Sequence, residues 1–372
     1  MSLLQYITVK TQVRRLKYFS IALKFLSKSG LQKQIFSNLL IKWSKENHAE
    51  LQKYKSSSGE IILGEAKSVS NSFNSYFNGL LQLELIIEQG NFIIPSKSAD
   101  ILNILLEYLR NDLYANNPYE LTFVEKTFFL TNLFEKDYDI LILVLELIYI
   151  YPSQKLEFYL ENFQQAYLKR LEKKLENQKI ENASAVIEAI QRISSWRSAK
   201  KYSEEYVPQR VNWLIDLGFI DEENWKSKII SLNDKATEFF ANIKLNSQLE
   251  KEYNIFDNDW FSNSFILTIS TFYFNKNNLT FWADLGEFKK DELIDECLII
   301  AAKNFSVLGI PRLSAKSTLL MSSLLMLHKY SIVLDLKDII DWIGSGKKIS
   351  NRNYSFRRAE REGESYFIIN YE

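Results

Sequence analysis

Apolar residues recur along this chain mostly at helical spacing, interrupted by a few short stretches bounded by turn signals. In the stretch 63–95, LGEAKSVSNSFNSYFNGLLQLELIIEQGNFIIP, residues Val69, Phe73, Phe77, Leu80 and Leu81 fall on one stripe of a helix. The other side carries Ser70, Asn71, Asn74, Ser75, Asn78 and Gln82, all polar, short and uncharged. The helix gives out near Leu85-Ile86. Gly90-Asn91 then turns the chain between 85–88 and 91–95, which predicts a β-hairpin. An ordinary core helix followed by a hairpin would leave the same pattern.

The rest of the chain repeats these ingredients. Leu16, Phe19, Leu23 and Leu26 predict one helix; after the Ser29-Gly30 break, Leu31, Ile35, Leu39 and Trp43 predict a second. Lys10, Arg14, Arg15, Lys17, Lys24, Lys28 and Lys33 decorate their polar sides. The stretch 99–110 is helical by spacing, and Asn116-Asn117-Pro118 marks a boundary. Two apolar helices, 121–134 and 138–151, end at Pro152, and a long charged helix covers 155–182. Between 185 and 241, Val186, Ile190 and Ile193 mark a helix, followed by the basic SWRSAKK of 195–201. Ser203 is the expected N-cap of the next helix, with Pro208 in its first turn. That helix carries Val207, Val211, Leu214 and Ile215, with Gln209, Arg210 and Asn212 expected to face outward. Phe219-Ile220 and KIISL (228–232) predict a shorter hairpin behind it. After an aromatic-rich segment (254–278), helices are expected at 293–305, from a Ser314 cap to His328, and at 336–343, with a turn at Gly309-Ile310-Pro311. The chain closes in a hairpin, 354–358 against 366–369, where Lys347, Lys348, Arg352, Arg357, Arg358 and Arg361 cluster.

The helix, turn, amphipathic helix and hairpin of 63–95 resemble a winged helix-turn-helix. RVNWLIDLGFID with KIISLNDKATEFF resembles the reader helix, wing and following helix of bacterial winged-helix proteins. The likeness is to tandem winged helix-turn-helix DNA-binding domains of the kind found in bacterial restriction and anti-phage defence proteins. It implies a mainly α fold (α with small β-hairpin wings) of tandem winged-helix units joined by helical connectors. The expected segments are a winged-helix domain at 1–115, a helical connector at 116–183, and a second winged-helix domain at 184–250. A C-terminal helical domain, 251–372, ends in the basic hairpin and is a candidate third copy. The resemblance further implies a non-catalytic DNA-binding subunit. Asn71, Asn74, Ser75 and Asn78, and likewise Gln209, Arg210 and Asn212, would be presented to a major groove, where amides read base edges. Arg14, Arg15, Lys17, Arg197, Lys200, Lys201, Lys347, Lys348, Arg352, Arg357 and Arg358 would meet duplex DNA through its phosphates.

Charge sharpens this picture. The chain has 46 Lys and Arg against 46 Asp and Glu, a net charge of zero. The charges are segregated: Met1–Ser58 has 11 cations against 2 acids, while Gly59–Leu160 has 6 against 14. Trp213–Ile300 is acidic in the same way, 8 against 16. Localised potential is what phosphate attraction needs, although a solvated basic helix accounts for any one block. The acidic blocks support a second reading, a scaffold that uses winged-helix units to hold a nuclease or ATPase subunit.

Other chemistry finds little footing. Cys297 is the sole cysteine, so no intrachain disulfide forms, and a reducing cytoplasm is expected. The longest apolar run, Ile140–Tyr151, is short of the about 20 residues a membrane helix needs, so no membrane association is expected. With only His48 and His328, no metal or cofactor site is expected, and no catalytic residue is assigned. Gly344-Ser345-Gly346-Lys347-Lys348 lacks the spacing of a phosphate-binding loop. One enzyme-like pattern remains: Glu65-Ala66-Lys67 resembles the E-x-K half of a PD-(D/E)xK nuclease, which would hold Mg2+. This family places an acid on an earlier strand, and before Glu60 stand only Glu46 and Glu50, in a helical, Lys-rich context.

Overall fold

The structure is a computed structural model describing residues 13, 15–26, 28–53, 69–109, 120–177, 180–221, 223, 229–245, 259–307, 310–344, 346–358 and 365–371. These residues are mainly helical with small sheets, as the apolar spacing predicts. They form two compact units, one from Ser2–Ala99 and Tyr114–Lys244, the other from Asp100–Leu113 and Leu245–Glu372. The first unit takes in residues of the segments expected at 1–115, 116–183 and 184–250.

In the first unit the chain runs α1 (Leu16–Lys24), β1 (Leu31–Gln32), α2 (Lys33–Glu46), α3 (His48–Lys53) and α4 (Val69–Gln82). The hairpin β2 (Ile86–Gln89) and β3 (Phe92–Pro95) follows. Helix α4 buries Phe73, Tyr76, Phe77 and Leu80. The Phe73 ring meets Phe36 of α2 edge-on at 6.1 Å, and Tyr76 meets Tyr18 of α1 at 5.1 Å. The helix closes with the Leu85 N–H donating to the Leu80 carbonyl (2.8 Å) around Glu84, which takes the left-handed conformation. That reversal aims the chain into the hairpin. Gly90, at φ +61°, supplies the positive φ that a two-residue turn requires at its first position.

The hairpin is anchored on its other edge by β1. Strand β3 lies between β1 and β2, antiparallel to both, with Leu31 opposite Ile93 and Ile87 opposite Ile94. Gly30 permits the approach: at φ +76°, a Cβ there would sit 2.5 Å from Ile94 Cγ2 and 2.7 Å from the Ile93 carbonyl oxygen. Helix α5 (Lys97–Tyr108) leads out of this unit into the second.

The first unit continues with α6 (Phe123–Lys136), α7 (Tyr138–Ile150), α8 (Leu156–Asn177), α9 (Ile180–Ser194), α10 (Ala199–Ser203), α11 (Val207–Asp216) and α12 (Asp234–Leu245). Helix α6 starts with a reciprocal cap, Thr122 Oγ1 accepting from the Glu125 N–H (3.2 Å) and Glu125 accepting from the Thr122 N–H (2.8 Å). Helix α7 is buried on nearly every side, from Ile140 through Ile148, which explains its unbroken apolar run. Among the described residues no helix is long and apolar enough to cross a membrane.

Two local expectations fail here. Ser203 does not cap α11. It ends α10, donating its hydroxyl back to the Ala199 carbonyl (2.8 Å), and Tyr206 occupies the cap position, with Pro208 in the first turn as expected. Nor does Ile230 form a hairpin with Phe219-Ile220. It pairs instead with Gln154 at the start of α8, its N–H donating to the Gln154 carbonyl (2.9 Å). Residues 224–228 of that expected wing lie outside the described residues.

The second unit contains α13 (Asp259–Asn263), α14 (Phe265–Tyr273), β4 (Thr280–Phe281), α15 (Glu287–Phe305), β5 (Ser306–Val307) and β6 (Ile310–Ser314). Then come α16 (Ala315–Tyr330), β7 (Ile332–Val333), α17 (Leu336–Ile343), β8 (Lys347–Ile349), β9 (Arg352–Arg357) and β10 (Tyr366–Tyr371). Ile310 and Pro311, expected in a turn, begin strand β6. The antiparallel sheet runs β5-β6-β10-β9-β8, and the terminal hairpin pairs Tyr366 with Arg357 through to Tyr371 with Arg352. In both units the last hairpin strand lies between its hairpin partner and a strand that precedes the helices, β3 between β1 and β2 and β10 between β6 and β9; α3 in the first unit and β5, β7 and β8 in the second have no counterpart in the other.

Asp335, immediately before α17, is a titratable group in this interior. Burial lifts its carboxyl to about 7, and the nearby Asp338 adds to the effect. An acid with a higher pKa when folded binds more protons in the folded state, so its contribution to stability falls as pH rises from about 4 to about 7. Asp335→Asn therefore gains stability relative to the natural chain across that interval, measured by urea unfolding at several pH values. A difference that stays constant with pH contradicts this.

Candidate nucleic-acid interface

Helix α1 is buried along almost its whole length, Leu16–Leu23, so the cations beside it are drawn inward with it. Lys17 is buried and donates to Glu125 of α6 at 2.5 Å, while the Ser20 hydroxyl donates to the same carboxylate. Burial pushes Glu125 up, but Lys17, Ser20 and the Thr122 N–H together bring it below its ordinary range. Burial likewise lowers Lys17, against the pull of Glu125. Arg15 Nε donates to Asp216 of α11 at 2.7 Å, and the Leu16 N–H donates to the other carboxylate oxygen at 2.8 Å. Burial still raises Asp216 to about 6 in spite of Arg15. Neither Lys17 nor Arg15 is an outward phosphate contact, contrary to the expectation from the sequence. Arg14 lies outside the described residues.

Helix α11 departs furthest from expectation. Gln209, Arg210 and Asn212, expected to face a groove, are all buried. Arg210 grips Asp137, between α6 and α7, through Nε (2.8 Å) and Nη2 (2.5 Å), with both side chains wholly enclosed. Its Nη1 donates to the Tyr206 carbonyl (3.2 Å), and its guanidinium lies 5.0 Å from the Trp213 ring centroid. Asn212 donates back to the Pro208 carbonyl (2.6 Å), and Gln209 donates to the Glu204 carbonyl (3.3 Å). Trp213 Nε1 donates to the Val13 carbonyl (3.1 Å). The helix is an internal strut. A charged residue inside an apolar run was the available sign: Asp137 sits between two apolar helices, Glu125 within LTFVEKTFFL, and Asp216 within NWLIDLGF. Each needs a buried cation.

Helix α4 keeps its polar side outward. Asn74 and Asn78 are exposed and Ser75 is half-buried; the side chain of Asn71 lies outside the described residues. The ribbon beside them carries Glu88, Gln89, Asn91 and Phe92 at its exposed tip. Lys33 donates to Glu88 (2.9 Å) and stands 3.9 Å from the Phe77 ring centroid. Pairing puts Ile87, Ile94, Gln89 and Phe92 on one face of the hairpin, where Ile87 is 45% and Phe92 47% exposed.

The remaining cationic candidates divide. Arg197, Lys200 and Lys201, between α9 and the end of α10, are exposed. On the last hairpin, Lys348, Arg357 and Arg358 are exposed, but Lys347 and Arg352 turn onto α15. Lys347 pairs with Asp291 (3.1 Å) over the Trp342 ring, and Arg352 pairs with Asp295 (2.9 Å), which also accepts from the Tyr354 hydroxyl. Two carboxylates of α15 thus neutralise Lys347 and Arg352, two of the six cations expected in the basic wing, while Arg361 lies outside the described residues. The Glu65–Lys67 pattern lies outside the described residues. Among those described, no three of His, Cys, Asp and Glu come together as metal ligands would. Cys297 is buried, its thiol pushed up to about 12 by burial.

No protein-family model matches the chain, no curated protein matches it, and no solved structure matches it.

Charge reversal separates the two kinds of cation. Lys17→Glu places a second carboxylate against Glu125 and lowers unfolding free energy by about 3 kcal/mol or more, whereas Lys200→Glu changes it by about 0.5 kcal/mol or less. Urea titration of the two variants checks this, and equal effects contradict the division.

Proposed function

We propose that this chain is a non-catalytic DNA-binding subunit built on winged helix-turn-helix units, working in a bacterial defence or restriction-type complex. What supports the winged-helix reading is the order helix, strand, helices, hairpin in the first unit, with the last strand in the middle of the three, and a related order within the five-stranded sheet of the second. In the first unit the helix before the hairpin is α4, and the single observation that carries the DNA reading is the exposure of Asn74 and Asn78 on the helix that leads into the ribbon turned at Gly90. An amide side chain offers a donor and an acceptor together, as an adenine edge in the major groove requires. Helix α4 has no charged residue, so base contacts dominate at this site and phosphate contacts are few.

A scaffold reading has its own support. Ile87 and Phe92 expose apolar surface on the hairpin face, and charged partners occupy Arg15, Lys17, Lys347 and Arg352 within the fold. A protein partner would cover that face.

Fluorescence anisotropy with a randomised pool of labelled duplexes, enriched for binders, discriminates between them. The DNA reading predicts that Asn74→Ala with Asn78→Ala weakens binding about five-fold or more, in line with about 1–3 kcal/mol for a bidentate amide–base contact. It also predicts a shallow salt dependence, because the slope counts neutralised phosphates. No duplex binding, together with a co-purifying protein lost on Phe92→Lys, selects the scaffold.

A further inference from the structure

An aromatic stack in the first unit ends at the surface among cations. The Trp196 ring lies nearly parallel to Tyr202, with centroids 5.3 Å apart and planes at 15°, and nearly parallel to Tyr206, at 5.7 Å and 9°. Phe163 of α8 packs against both Tyr206 (6.0 Å, 13°) and Trp196 (6.5 Å, 13°), so these three rings form a cluster. Phe163 and Tyr206 are buried, whereas Tyr202 is 39% exposed. The cluster therefore reaches from the core to the surface, where Tyr202, packed against Trp196, is its exposed member. Arg192, Arg197, Lys200 and Lys201 are exposed around it, against the exposed Glu204 and the half-buried Glu205. The Tyr202 N–H is tied to the Ser198 carbonyl (3.2 Å), so ring and backbone are both held in place before any ligand arrives.

We propose that Tyr202 is a stacking platform for a base of single-stranded nucleic acid, with Arg197, Lys200 and Lys201 holding the phosphates on either side. The chemistry selects this ligand. The Tyr202 ring, held near-parallel against Trp196 and partly exposed, offers a flat π surface, and the cations demand an anion joined to a flat group. Bases in a duplex hide their faces against each other, so only an unpaired strand presents both features. Duplex reading by α4 uses other residues and does not bear on this site.

The test is anisotropy of the full chain with fluorescein-labelled oligo-dT and oligo-U of about 20 nucleotides, a length that spans such sites. The natural chain binds at least one of them, and the two arms decide between DNA and RNA. Tyr202→Ala weakens binding about five-fold or more, as loss of one base stack should, while Tyr202→Trp stays within about two-fold. Lys200→Ala with Lys201→Ala weakens binding and lowers the salt slope by about 1.5. Circular dichroism and thermal unfolding show each variant folded. Absence of binding by the natural chain to both strands overturns the proposal, and so does a folded Tyr202→Ala that binds as tightly as the natural chain.

Discussion

The enclosed pair of Arg210 and Asp137 is the constraint around which the first unit is arranged. Two charges removed from water persist only where geometry is good and the remaining donors are satisfied. Here the guanidinium makes two bonds to the carboxylate, one to the Tyr206 carbonyl, and lies near the Trp213 ring. Those contacts fix α11 against the junction of α6 and α7. Helix α11 in turn receives Arg15 at Asp216, and α6 receives Lys17 at Glu125. Helix α1 is thus clamped at two points to helices more than 100 positions away, and the Asn132 side chain of α6 reaches the Leu83 carbonyl at the end of α4 (3.2 Å). The placement of α4 and its ribbon follows from this interior network.

The same network governs what remains for recognition. Cations engaged with Glu125, Asp216, Asp137, Asp291 and Asp295 are neutralised within the fold and cannot also hold phosphates. Among the described candidates, those that face outward include the uncharged amides on α4, an apolar hairpin face, the basic residues near Tyr202, and Lys348, Arg357 and Arg358 of the last hairpin. Part of the N-terminal excess of cations answers acids that come later in the chain, Arg15 at Asp216, Lys17 at Glu125 and Lys33 at Glu88.

Local features were legible and distant ones were not. The stripe of α4, the turn at Gly90-Asn91 and the terminal hairpin follow from residues within a few positions of each other. Tyr76 escaped the stripe because an aromatic ring can be buried at the edge of a helical face, here against Tyr18. The short strands β1 and β6 could not be read, since two to five residues carry no periodicity and their partners lie far along the chain. The inward turn of Lys17, Arg15 and Arg210 was hidden for the same reason: their carboxylates stand 108, 201 and 73 positions away. A helical wheel marks Arg210 as polar and sends it outward. Only the presence of unpaired acids in apolar runs elsewhere pointed the other way. Of the candidate site, Asn74, Asn78, Arg197, Lys200, Lys201, Lys348, Arg357 and Arg358 are exposed, as their polar character led one to expect.

That α11 is a strut rather than a reader is tested most directly by a double-mutant cycle between Arg210→Met and Asp137→Leu, followed by urea unfolding. Each single change leaves one charge enclosed without its partner and costs about 3–5 kcal/mol, while the double change recovers most of that loss. If Arg210→Met unfolds at the same urea concentration as the natural chain and loses only nucleic-acid binding, Arg210 faces a ligand and the interior network described here is wrong.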